Sequence, residues 1–210
     1  MKRLIVAATR AELSGLCTFF ELPEKDFIES LGFDLLITGV GMTATAFALG
    51  RHLSPYYDQV INLGIAGCYD RTIPLGSVLN ITSDEFSELG AEDKDEFLPI
   101  DQLGFGKSYY SAEDNTESKT VAKLKRVNGI TVNKVHGNTQ SITAIVNRLN
   151  PVTESMEGAA VFYCCSQLNI PCIQIRSISN YVEERKRDNW KIGLAVKNLN
   201  EWLLYFLTNG

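Results

Sequence analysis

In 210 residues no apolar run approaches the roughly 20 that span a bilayer, so a helical membrane protein is excluded. Basic residues are not in excess: 20 Lys and Arg stand against 25 Asp and Glu, a net charge of −5 that disfavours nucleic acid or another polyanion as partner. Histidine is nearly absent. His52 and His136 are the two imidazoles, and neither lies near a second histidine or a cysteine pair, so no metal site is expected. The five cysteines (Cys17, Cys68, Cys164, Cys165, Cys172) form an odd set without a CxxC pair, which fits free thiols in a reducing cytoplasm better than a disulfide framework. No stretch rich in proline, glycine or serine divides the chain, and residues 1–210 are expected to form one domain around one core. The opening MKRLIVAATRAEL has a basic flank, but its apolar part is too short for a signal peptide and an acid soon follows. What is left is a cytoplasmic protein with small molecules as partners.

What is present alternates between two periods. Leu4–Ala8, Asp34–Thr38, Gln59–Leu63, Ser77–Thr82, Thr131–Val135 and Cys172–Ile178 read as strands, several of them apolar on both faces and therefore covered by helices on both sides. Met42, Ala46, Leu49 and Leu53 share one helical face, with His52 on that helix's surface. Ile192, Val196, Leu199, Leu203 and Phe206 make a second, with Asp188 as its N-cap. The expected class is α/β, a central mixed β-sheet flanked by helices. Residues 84–115 stand apart: acidic, glycine-containing and interspersed with aromatics, they read as a solvated loop or as a lid over a site.

Three polar or glycine-rich stretches are expected where strands end: TRAEL after the first, GVG after the second, NLGIAG after the third. With RSISN, they could converge on one pocket at the carboxyl edge of the sheet. Residues 154–161, ESMEGAAV, set Glu154 and Glu157 around Met156 where a strand becomes a helix. An acid there is a natural partner for the helix dipole. Singly these signals are weak, and GVG alone is only a tight turn at a helix start.

Taken together, Glu12 after the first strand, TGVG (38–41), NLGIAG (62–67), SMEGAA (155–160) and RSISN (176–180) stand in an order that resembles the nucleoside phosphorylase/nucleosidase superfamily. These are purine-cleaving enzymes that include methylthioadenosine nucleosidase and futalosine hydrolase. The resemblance spans nearly the whole chain and implies a nucleoside phosphorylase-like fold and cleavage of a purine N-glycosidic bond with no cofactor. It implies that Glu157 grips the ribose 2′ and 3′ hydroxyls and that Met156 packs against the sugar. A buried carboxylate there would stabilise the oxocarbenium charge of the transition state more than the neutral ground state. Gly158, Ala159 and Ala160 would let the helix pack closely behind it. The resemblance further implies that Glu12 orients and deprotonates the attacking water, a task an elevated pKa would help. Ala66 and Gly67 of NLGIAG fall among the substrate-lining positions. Glu154 has no family role and is expected to be structural. Arg10 reads as a surface charge or a carboxylate partner. The family commonly forms dimers whose neighbour completes the pocket, so a homo-oligomer, dimer or higher, is expected.

Departures within the motifs bear on the reaction. Hexameric phosphorylases carry an arginine two residues before the glycine of the motif matching NLGIAG, where this chain has Asn62; Ile65 stands where relatives often place a hydroxyl residue. Water is the expected nucleophile. Adenine-cleaving relatives have aspartate at the position of Asn180. Asparagine suits a 6-oxopurine, its amide donating to O6 and its carbonyl accepting from N7–H, with Ser179 supporting the loop. Residues 88–106 and 179–190 resemble the futalosine hydrolase branch, whose inosine-like substrate bears a carboxyphenyl-ketone tail and belongs to an alternative menaquinone route. Phe86, Phe97, Phe105, Arg185 and Arg187 are candidates for that tail, although ERKR also reads as a solvated charge run. The implied activity is hydrolysis of futalosine to hypoxanthine and dehypoxanthine futalosine. Asn180 opposes a methylthioadenosine/S-adenosylhomocysteine nucleosidase, Asn62 opposes a purine nucleoside phosphorylase, and the presence of Glu12 and Glu157 opposes a catalytically idle nucleoside-binding protein.

Overall fold

Strands apolar on both faces make the middle of the molecule, and helices close over both sides. The computed structural model describes residues 1–30, 32–112, 118–184 and 186–209. In chain order the elements are β1 (Arg3–Ala7), α1 (Ser14–Phe19), β2 (Phe27–Ile28), β3 (Phe33–Ile37), α2 (Met42–His52), β4 (Gln59–Cys68), β5 (Val78–Phe86), β6 (Gly90–Asp93), β7 (Glu96–Pro99), β8 (Tyr109–Ser111), α3 (Lys119–Ala122), β9 (Lys125–Thr131), α4 (Thr139–Leu149), β10 (Thr153–Ser155), α5 (Gly158–Gln167), β11 (Cys172–Tyr181) and α6 (Ile192–Asn209), with short 3₁₀ turns at Arg10–Leu13 and Arg187–Asn189. The main sheet runs β10-β9-β5-β11-β4-β1-β3-β2, with β8 on β5. Because β10 also pairs with β4, the first five of these strands close on themselves, and β4 and β10 meet at Gly67 and Glu154. Parallel and antiparallel pairings are mixed, as the α/β class requires.

Alternation along β1 sets the two layers. Ile5 and Ala7 face a cluster with Leu16 of α1 and Leu199, Leu203 and Phe206 of α6, whereas Leu4 and Val6 face Leu49 of α2 and Val161, Phe162 and Cys165 of α5. Fully burying one such side chain is worth about 1.5–3 kcal/mol, so the apolar stripe on α6 contributes much of that helix's docking.

Several sequence expectations need correction. NLGIAG and RSISN do not follow strands. They lie inside β4 and β11, whose parallel ladder continues to the Tyr181–Cys68 pair and shifts register between Ile178 and Asn180. The strand expected at Thr131–Val135 is β9, which ends at Thr131 because the ladder with β5 is used up there. Segment 84–115 is not structureless: it completes β5, forms the β6–β7 hairpin and returns as β8 on β5; its last residues, from Glu113, lie outside the described ones. Asp188 does not cap α6, which starts at Ile192; it sits in the short turn before it. His52 ends α2 half-buried, stacked on Phe27 at 4.2 Å. Among the described residues no helix is long and apolar enough to cross a membrane.

Candidate active site

The edge where β1, β4, β10 and β11 end encloses a cavity of about 310 Å³. Glu12, Ala66, Gly67, Met156, Glu157, Ser179 and Asn180 all line it, so seven of the residues singled out in the sequence come together. Val40, Trp190, Ile192 and Val196 supply apolar wall.

Glu12 is fixed by its own turn. Thr9 and Glu12 form a reciprocal cap: the Glu12 N–H donates to Thr9 Oγ1, and Glu12 Oε2 accepts from the Thr9 N–H and hydroxyl, each at 3.0 Å. Its other oxygen accepts from the Ile65 N–H at 3.1 Å. The Ile65 side chain offers no hydroxyl, and its main-chain N–H is engaged with Glu12. Behind the turn, Asn200 of α6 donates to the Glu12 carbonyl at 2.8 Å and accepts from the Leu16 N–H at 2.9 Å. Burial pushes the Glu12 carboxyl above the ordinary glutamate range, opposed by the Arg176 charge and the Ile65 N–H.

Glu157 is the N-cap residue of α5 and is 7% exposed. Its Oε1 accepts from the Gly41 N–H at 3.0 Å. That contact explains GVG: Gly39 and Gly41 hold φ of 82° and 93°, which side chains disfavour, and the turn presents its last N–H to the carboxylate. Arg176 Nη1 lies 3.7 Å from Glu157 Oε2.

Arg176 is a residue the sequence reading passed over. It is 1% exposed, and its Nε and Nη2 atoms have no hydrogen-bond partner. Its side chain crosses Gly64, where a Cβ would overlap Nη1 and lie 2.9 Å from Glu12 Oε1, so the first glycine of NLGIAG is a crossing point for the cation. The available signal was a single charge within the apolar run CIQIRSIS. A core strand does not carry a cation without a carboxylate to meet it, and here that is Glu157.

Beneath α5 lies a buried polar chain. Asn62 Nδ2 donates to Gln174 Oε1 at 3.0 Å, Gln174 Nε2 donates to Asp84 Oδ2 at 2.7 Å, and the Thr131 hydroxyl donates to Asp84 Oδ1 at 2.8 Å while accepting from the Ala159 N–H at 2.7 Å. Burial drives the Asp84 carboxyl up to about 6 against these donors. Gly158 leaves room for this chain, since a Cβ there would overlap Asp84 and Gln174. Asn62 therefore belongs to the core beside α5 and does not line the cavity.

Other candidates fall elsewhere. Phe86 and Phe105 do not line the pocket. They border an open groove of about 1390 Å³ beyond α5, because β5 and the β7–β8 connection run along that face. Phe97 packs under the Arg148 guanidinium at 3.9 Å. Arg10 pairs with no carboxylate among the described residues; it donates to the Leu22 carbonyl at 2.6 Å. Arg185 and the Arg187 side chain lie outside the described residues. Among the described residues no group of three or more His, Cys, Asp or Glu could hold a metal ion.

The cavity thus sets two buried carboxylates in its wall, Glu12 with raised proton affinity and Glu157, with the Arg176 cation buried behind them. A family model for the phosphorylase superfamily matches residues 35–207, and the chain belongs to that superfamily. Among curated proteins it is similar to the futalosine hydrolase of Streptomyces coelicolor, 29% identical over 179 residues that cover 81% of this chain and 76% of that protein. The fold matches the futalosine hydrolase of Helicobacter pylori at a TM-score of 0.81 and 16% identity, covering 100% of this chain and 98% of that one. It also matches the 5'-methylthioadenosine/S-adenosylhomocysteine nucleosidase of the same organism at 0.82 and 16%, covering 100% and 99%.

Proposed function

We propose that the protein hydrolyses the N-glycosidic bond of futalosine, releasing hypoxanthine and dehypoxanthine futalosine. The observation that carries the reaction class is that Glu12, Glu157 and Asn180 line one enclosed pocket with the buried Arg176 cation behind the two acids. Glu12 accepts the proton of water as the oxygen attacks C1′. The bond to the purine nitrogen breaks, its electron pair leaves with the base, and Glu157 meets the charge that develops on the ribose. Met156 lies in the same wall for the sugar to pack against.

Water rather than phosphate fits this site: three glutamates, Glu12, Glu154 and Glu157, line the pocket, and Asn62 is committed to Gln174. Asn180 supports a 6-oxopurine. Its Oδ1 accepts from the Ser179 hydroxyl at 2.8 Å and its Nδ2 donates to the Tyr181 carbonyl at 3.1 Å, which sets the amide and leaves one lone pair and one hydrogen for the base. The relatives named futalosine hydrolase support the substrate. We further infer that residues 1–210 act as one catalytic domain in the cytoplasm, where the free thiols suit a reducing environment, and as a homo-oligomer that covers the aromatic groove.

The test is incubation of the full chain with futalosine, inosine and methylthioadenosine, with and without phosphate. Hypoxanthine released from futalosine at the same rate in both conditions is the expected result. Strict phosphate dependence with a ribose 1-phosphate product, or adenine release from methylthioadenosine alone, overturns it.

A further inference from the structure

The pocket holds a second polar group that the hydrolytic step does not use. His136 Nδ1 is in contact with Glu154 Oε2, the Tyr69 hydroxyl donates to that same oxygen at 2.6 Å, and the His136 N–H donates to Glu154 Oε1 at 2.9 Å. Glu154 is 3% exposed, and these donors satisfy it. Burial and then the Glu154 charge push the Tyr69 phenol above its usual range, so it remains a donor. The imidazole itself is held by one nitrogen. Nε2 has no protein partner among the described residues, and His136 lines the pocket.

Sheet register links this group to Asn180. Glu154 of β10 pairs with Gly67 of β4, and Gly67 pairs on its other edge with Asn180 of β11. Glu154 and Asn180 thus flank the same glycine, and His136 is in contact with Glu154. A buried carboxylate on Nδ1 selects the Nδ1–H tautomer and leaves Nε2 as an acceptor. A 6-oxopurine carries N1–H, a donor; a 6-aminopurine carries a bare N1 lone pair.

We propose that His136, oriented by Glu154 and Tyr69, is a specificity-determining residue that accepts N1–H of a 6-oxopurine on Nε2 and opposes the N1 lone pair of a 6-aminopurine. With Asn180 on the O6 and N7 side, the base is read from two edges. The inference rests on the purine nucleosidase reading above.

Its test uses the full chain with futalosine and its 6-amino counterpart, in wild type, His136→Phe and His136→Gln. Phenylalanine keeps a ring but has no acceptor; glutamine restores one. His136→Phe lowers kcat/KM for futalosine at least about tenfold and changes the 6-amino substrate by less than about threefold, and His136→Gln recovers part of the ratio. Calorimetric titration with free hypoxanthine and adenine reads the same preference without turnover, and Glu154→Gln, which releases the tautomer, weakens it. Parallel losses on both substrates with unchanged base preference overturn the role of His136. If wild type cleaves neither nucleoside yet binds hypoxanthine over adenine through His136, the hydrolase reading fails and this inference stands.

Discussion

The enclosed pocket and the open groove lie on either side of helix α5: Glu157, at its N-cap, lines the first, and Ala160 and Tyr163 line the second. In the pocket each functional carboxylate is held by main-chain N–H groups, Glu12 by Thr9 and Ile65 and Glu157 by Gly41. Such donors cannot swing away, so the charges are placed before substrate arrives. The groove combines exposed aromatic rings, Phe105 80% and Tyr109 53% exposed, with polar groups that bond one another, Ser108 donating to Asp101 at 2.9 Å and the Tyr110 hydroxyl to the Lys107 carbonyl at 3.3 Å. One cavity fixes charges in place before a ligand arrives, and the other leaves aromatic rings exposed.

The strongest way to break this comparison is to neutralise the pocket's acids. Glu12→Gln and Glu157→Gln should each lower kcat by about 10² to 10⁴ while the fold survives, measured by hypoxanthine release and thermal melting. Because burial raises the proton affinity of Glu12, the acid limb of wild-type kcat should lie above the ordinary glutamate range. An acid limb unmoved in Glu12→Gln would remove that residue from the role of base.

Next in size is a stability effect that the buried chain beneath α5 predicts. The Asp84 carboxyl stands at about 6 in the fold against a reference of 3.8. Between those values the native state holds a proton that the unfolded chain has released. This group's contribution therefore falls as pH rises through the window, by roughly 3 kcal/mol in total. Urea unfolding of wild type and Asp84→Asn at pH 4 and pH 7.5 should show wild type losing about that much relative to the variant. Parallel profiles would mean that Asp84 titrates as an ordinary aspartate.

A smaller change sharpens what the pocket reads. Asn180→Asp removes the N–H₂ that donates to O6, and should shift the ratio of kcat/KM for the 6-amino substrate over futalosine by at least about tenfold. If both substrates fall together, Asn180 does not read the base. The smallest effect belongs to the groove: Phe105→Asp should shift self-association toward monomer in sedimentation while changing subunit stability by no more than about 0.5 kcal/mol. An unchanged sedimentation profile would leave the groove without its second copy.

Much of the pocket was legible in the sequence because its residues sit on short motifs whose chemistry is local: Glu12 in its capping turn, Glu157 at a helix start, Asn180 in RSISN. Arg176 was not, since an arginine read one position at a time is a surface residue; only the crossing of β11 and β4 shows that it passes over Gly64. Phe86 and Phe105 were misplaced for a related reason. Aromatic composition announces a cavity wall but not which side of α5 it faces, and that depends on β8 returning to pair with β5. Likewise, the glycines of NLGIAG read as a loop, whereas in the sheet they make room for neighbouring side chains.

Asn200 ties the last helix to the first turn, donating to the Glu12 carbonyl and accepting from the Leu16 N–H, with Gly15 packed so closely that a Cβ there would lie 2.8 Å from the Asn200 Cβ. The turn that carries Glu12 is thus secured by a residue 188 positions further along the chain. A nascent chain that has exposed β1 to β11 has every strand of the sheet, but it cannot brace Glu12 until α6 emerges and docks.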